Sequence, residues 1–148
     1  MTPARSARPA RGERGAAAAE LALVVPVLVM VIGLVVAGGR LWLARQAVED
    51  AAAGAARAAS LARSPAAARQ AAQEVVRSNL GTHGLDCLSL DVAVDPSGFG
   101  RSPGAGGTVD VSVSCTVGLS DVVVPGLPGS TELTADGRSA LDTYRGRR

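Results

Sequence analysis

The order of patterns along these 148 residues predicts an α+β chain: an N-terminal transmembrane helix extended into a long amphipathic helix, a short second helix, then a small antiparallel β-sheet. Three observations predict it. Leu21 to Gly39 is an unbroken uncharged and mostly apolar run. The residues after it repeat their small apolar side chains at three- and four-residue steps, the period of a helix. From Leu85 onward the apolar period changes to two, the period of a half-buried strand. The chain therefore divides into a basic leader (1–15), a span (16–39), a helical region (40–81) and a β-rich region (82–148).

The run from Leu21 to Gly39 is roughly 28 Å of helix, the thickness of a bilayer's hydrocarbon core. A soluble chain would have to cover such a helix on all sides, and nothing later is apolar enough to do so. An ordinary secretory signal has a shorter apolar core, and Val36-Ala37-Gly38-Gly39 is a mediocre cleavage site; that alternative would release a soluble domain beginning near residue 39. Arg5, Arg8, Arg11 and Arg14 precede the run against the single acid Glu13, whereas Arg40 and Arg45 after it are matched by Glu49 and Asp50. This asymmetry places the leader in the cytoplasm and residues 40–148 outside. Glu20 is a charge at the inner edge of the apolar segment, where charge is costly and marks a functional candidate.

Gly15, the four small residues Ala16 to Ala19, Glu20 and the apolar run behind a basic leader resemble a type IV prepilin-like signal. The fuller string RGAAAAELALVVPVLVMVIGLVVAGG, with Pro26 a short way into the span, is similar to the TadE-like pseudopilins of tight-adherence pilus systems. Such families usually carry an aromatic after the glutamate; here Leu21 stands there. The resemblance implies a prepilin peptidase that cuts between Gly15 and Ala16, and a new amino terminus one helical turn from Glu20. It also implies assembly with other pilins and with platform proteins, with Glu20 and Pro26 as assembly residues. A carboxylate at the membrane edge is costly alone and tolerable beside an ammonium, its own or a neighbour's; the alternative is a glutamate that snorkels to the headgroups. The bacterial cell membrane is the expected location, with a single pass.

Residues 40 to 63 are alanine-rich and lack proline, so the span is expected to run on as helix. Leu41, Ala44, Val48, Ala51, Ala55, Ala59 and Ala62 form its stripe, suited either to neighbouring helices of an assembly or to the chain's own domain. Ser64-Pro65 reads as an N-cap with proline at the first helical position. The second helix should end at Gly81 and bury Ala68, Ala72, Val76 and Leu80. Leu88, Leu90, Val92 and Val94, then Val109 to Val117 at every second position, predict two strands paired as a hairpin across a glycine-rich loop at 95–107, too flexible to be well ordered. Residues 122–130 read as a broken connection before a third strand from about Thr131 to Thr143. Leu133, Ala135 and Leu141 should lie on one face of it, with Asp136, Arg138 and Tyr144 on the other.

Cys87 and Cys115 fall on the outer side, where disulfides persist. A Cys87–Cys115 bridge is expected, with two free thiols as the alternative, because Cys87 is out of phase with Leu88 and Leu90. All 15 basic residues are arginine and four lie in the leader, so removing it leaves 11 arginines against 12 acids and no basic stripe for nucleic acid. No catalytic, cofactor or small-molecule constellation is expected. His83 is the single histidine, no C-x-x-C or G-x-S-x-G stands in the chain, and the loop glycines lack the lysine of a phosphate cradle. Asp91, Asp95, Asp110, Asp121 and Asp136 read as solvated. Two function classes remain: a structural minor pilin or assembly component, and a signal-anchored exported binding or sensory protein with no pilus role.

Overall fold

The computed structural model describes residues 12–102, 106–118 and 129–141. Two helices and three strands follow the expected α+β order: α1 (Gly12–Ser60), α2 (Pro65–Thr82), β1 (Cys87–Asp95), β2 (Thr108–Gly118) and β3 (Ser130–Ala140), with a 3-10 turn at Ser97–Gly100. The chain forms two compact units, Met1–Ala37 and Gly38–Arg148.

In the first unit the described residues belong to α1. Pro26 lies inside this helix and removes one backbone donor. From Leu21 to Val36 the large apolar side chains are exposed, Val25 at 46% and Leu23 at 76% marking the extremes. The helix is long and apolar enough to cross a membrane.

In the second unit α1 changes character. Ala47, Val48, Ala51, Ala52, Ala55, Ala56 and Ala59 are buried, with Leu41, Ala44 and Ala62 packed against them. The expected stripe is present and wider than predicted. Of its two possible uses, it serves the chain's own domain. A Cβ added to Gly137 of β3 would lie 2.1 Å from the carbonyl oxygen of Ala52, so strand backbone rests directly on helix backbone. Gly54 likewise meets Val75 of α2, at 3.3 Å from an added Cβ. At the end of α1 the buried Ser60 donates to the Arg57 carbonyl (2.8 Å) and accepts from the Ser139 hydroxyl (3.1 Å).

α2 starts as predicted: the Ser64 hydroxyl accepts from the Ala67 N–H at 3.2 Å, and Pro65 occupies the first turn. Its buried residues are Ala68, Ala72, Val76 and Leu80. Its end differs from expectation. Gly81 stays helical, and Gly84 takes the left-handed conformation (φ 63). The Leu85 N–H reaches the Leu80 carbonyl at 2.9 Å and the Gly84 N–H reaches Gly81 at 3.1 Å, a Schellman closure that delivers Leu85 to the core.

The sheet is antiparallel in the order β1-β2-β3. Val109, Val111, Val113, Cys115 and Val117 of β2 are buried, while β3 turns Leu133, Ala135, Gly137 and Ser139 inward and Asp136 and Arg138 outward. β3 ends at Ala140 rather than Thr143, and the expectation for Tyr144 lies outside the described residues, as does most of the 122–130 connection and Asp121. Of the glycine-rich loop, residues 95–102 and 106–107 are described, and the part next to β1 forms the 3-10 turn. The Asp95 carboxylate accepts from the Ser97 N–H (2.9 Å), and Gly98 is buried because an added Cβ would meet the Thr108 carbonyl oxygen at 2.1 Å. The Gly107 carbonyl accepts from Leu141 at 2.8 Å, so the loop's far end is tied to the end of β3.

Candidate processing and assembly site

Backbone at Gly15 and Ala16 is part of α1, and Ala16 precedes Glu20 by one turn, about 6 Å along the axis. Glu20 is exposed and forms no ion pair among the described residues. It stands where the apolar surface begins. The twelve exposed leucine, valine and isoleucine side chains from Leu21 to Val36 favour lipid by roughly 4–7 kcal/mol together. One carboxylate at the lip of a bilayer costs less than the roughly 3 kcal/mol it would cost at the centre, so the segment tolerates Glu20 at its edge. Pro26, six positions on, leaves the Ala22 carbonyl without its usual donor inside this apolar stretch. The structure thus brings Ala16 and Glu20 to adjacent turns of one helix. It leaves Pro26 farther along the same element.

Cys87 and Cys115 are bonded, with Cα atoms 5.4 Å apart. The phase difficulty resolves through a register shift. Cys87 pairs with Val117, then Ser89 with Thr116 and Leu90 with Cys115, so Leu88 is extruded. Cys87 and Leu90 consequently share one side of the strand although three positions separate them; Cys87 packs against the core, whereas Leu90, expected inward, is 37% exposed. Leu88, expected among the inward residues, is 72% exposed.

The outer face of the sheet is polar. Asp110 and Arg138 are directly opposite each other and form an ion pair, and the neighbouring carboxylate raises the Arg138 guanidinium above its ordinary range. Beside them the Ser112 hydroxyl donates to Asp136 at 2.5 Å, and the Ser89 hydroxyl donates to Thr116 at 2.8 Å. Asp110 and Asp136, read from sequence as solvated, are held in cross-strand pairs.

Sequence reasoning missed Gly137, whose lack of a side chain sets how closely β3 approaches α1. An isolated glycine in an alternating strand was the available signal. It also missed a cleft beside this contact, lined by Arg45, Val48 and Glu49 of α1 and Glu132, Leu133 and Thr134 of β3. No sequence signal joins those two segments.

Residues 15–57 match the family model described as TadE-like protein. The match begins at Gly15, contains Glu20 and Pro26, and extends into the alanine stripe; it covers under a third of the chain. No curated protein and no solved structure matches the chain.

Proposed function

We propose, from the TadE-like segment at residues 15–57, that the chain is a minor pilin or pseudopilin, a structural or assembly component of a tight-adherence (type IV-like) pilus or a related secretion apparatus. A prepilin peptidase removes the leader between Gly15 and Ala16. The apolar part of α1 anchors the product in the bacterial cell membrane, with the leader side cytoplasmic and the disulfide-bonded domain outside. The new ammonium at Ala16, or that of a neighbouring subunit, then meets Glu20 and lowers the cost of a carboxylate at the membrane edge. Other pilins and the assembly platform are its partners. The role is structural rather than enzymatic.

The observation that carries this reading is the family match beginning at Gly15, on a helix whose apolar side chains from Leu21 to Val36 are exposed. Intact-mass measurement of the membrane-extracted protein tests it. The expected mature chain begins at Ala16, and Gly15→Ala or loss of the peptidase leaves the precursor uncut. A mature protein that retains Met1 to Gly15, or starts near residue 39, removes the processing step and with it the pilin assignment.

A further inference from the structure

From Ser89 to Asp95 strand β1 alternates strictly. Leu90, Val92 and Val94 stand opposite the buried Cys115, Val113 and Val111 of β2, while Ser89, Asp91 and Ala93 take the polar face. Carried back toward the start of the strand with no extra residue, the same alternation sets Leu88 opposite Val117 on the inner side and Cys87 opposite Gly118 on the outer side. From the outer side Cys87 could not be bridged to Cys115, which is fully buried on the inner one. The bonded structure instead sets Cys87 opposite Val117 and against the core, and Leu88 becomes the extra residue, 72% exposed. The apolar pattern and the disulfide thus ask for different registers of one short stretch, and the bond decides between them. The Ser89 hydroxyl, bonded to Thr116, fixes the register beyond it. Asp86, between the core-packed Leu85 and Cys87, is exposed, so the link from α2 takes up a one-residue difference at the surface.

We propose that the Cys87–Cys115 bond is a redox-sensitive register switch. Bonded, it holds Cys87 inward and extrudes Leu88. Reduced, it lets the start of β1 slip by one residue, which turns Leu88 inward opposite Val117 and Cys87 outward, while Ser89 to Asp95 keep their partners. The reductant is a dithiol. One of its thiolates attacks Sγ of Cys87, which is less buried than Cys115, and displaces the Cys115 thiolate; its second thiol then closes a disulfide within the reductant and releases Cys87. Two electrons and two protons pass to the protein, which ends with two thiols. Oxidation therefore displays a large apolar side chain at the start of β1, and reduction withdraws it.

Methyl-labelled full-length protein in detergent micelles, probed with a water-soluble gadolinium chelate, tests this switch by nuclear magnetic resonance. In the bonded protein the Leu88 methyl signals are expected to broaden while those of the buried Leu133 stay sharp. After reduction with dithiothreitol the Leu88 broadening is expected to fall to the Leu133 level, and reoxidation restores it. The Cys87→Ala, Cys115→Ala variant shows the protected Leu88 without any reductant. A chain from which Leu88 is deleted gives a second readout. Without the extra residue, alternation alone places Cys87 inward opposite Val117, so the deletion variant is expected to fold and to show the intact mass of a bonded chain. Leu88 methyls that stay broadened after reduction overturn the proposal, as does a deletion variant that keeps two free thiols. Loss of amide protection throughout β2 and β3 on reduction also overturns it, because the switch needs a folded reduced state.

Discussion

Residues 21–36 and 44–60 lie on the same helix and are both apolar, yet they meet opposite surroundings. The first carries leucine, valine and isoleucine with their side chains exposed; the second carries alanines, most of them fully buried against the chain's own sheet and second helix. Large apolar groups facing outward suit lipid, where the area covered is what stabilises. Alanine buries little area. What it offers is close approach of backbone to backbone, visible where β3 crosses α1 at Gly137 and Ala52. The size of the apolar residues, more than their apolarity, tells the two covers apart.

The sharpest way to break this comparison is to fill the contact that alanine and glycine keep thin. Gly137→Val would place its Cβ 2.1 Å from the Ala52 carbonyl oxygen, an overlap that neither helix nor strand backbone can yield to cheaply. A loss of about 4 kcal/mol or more in urea unfolding of the full-length protein is expected, above the usual overpacking cost of a side chain because backbone is struck. Unchanged stability would mean that β3 and α1 do not meet as described.

Removing the disulfide tests whether the second region stands on packing alone. Cys87 and Cys115 close an interval of 28 positions, worth about 3–4 kcal/mol on the chain-entropy argument. That contribution is large for a core in which Val, Leu and Ala do most of the filling. The double Cys87→Ala, Cys115→Ala variant is expected to unfold at lower denaturant by that amount, while its retention by membranes on alkaline extraction stays unchanged. A loss of membrane retention would contradict the division between the exposed apolar surface of residues 21–36 and the buried one of 44–60.

How far the sequence reveals this division depends on whether a contact is local. The apolar run, the Ser64 cap and the α2 face of Ala68, Ala72, Val76 and Leu80 follow from spacing within one element, and the structure places them as read. The α2 terminus shifted from Gly81 to Gly84 because the helix ends where Leu85 can join the core, a tertiary decision. Leu88 read as inward because strict alternation assumes no bulge; the shift between Cys87 and Ser89 exchanges its place with that of Cys87. The Arg45 and Glu132 cleft joins residues far apart in sequence, and only the fold brings them together. At the candidate site, the structure puts Gly15, Ala16, Glu20 and Pro26 on one helix, and their roles stand on the family resemblance carried by residues 15–57.

The smallest expected effect separates a helix that only sits in lipid from one that packs against a partner. A Cβ added at Gly33 meets nothing within 4 Å, so in the isolated chain Gly33→Leu costs nothing in packing and improves local helix propensity by somewhat under 1 kcal/mol. Unfolding of the disulfide-bonded domain and retention by membranes should both stay at wild-type values. In cells the same variant distinguishes the two covers. If the apolar half of α1 meets only acyl chains, the added side chain is accepted and assembly proceeds. If it packs closely against another subunit's helix, as small residues permit, the leucine forces the helices apart. The assembly reading expects the second outcome, loss of the protein from sheared surface material with membrane levels and disulfide unchanged.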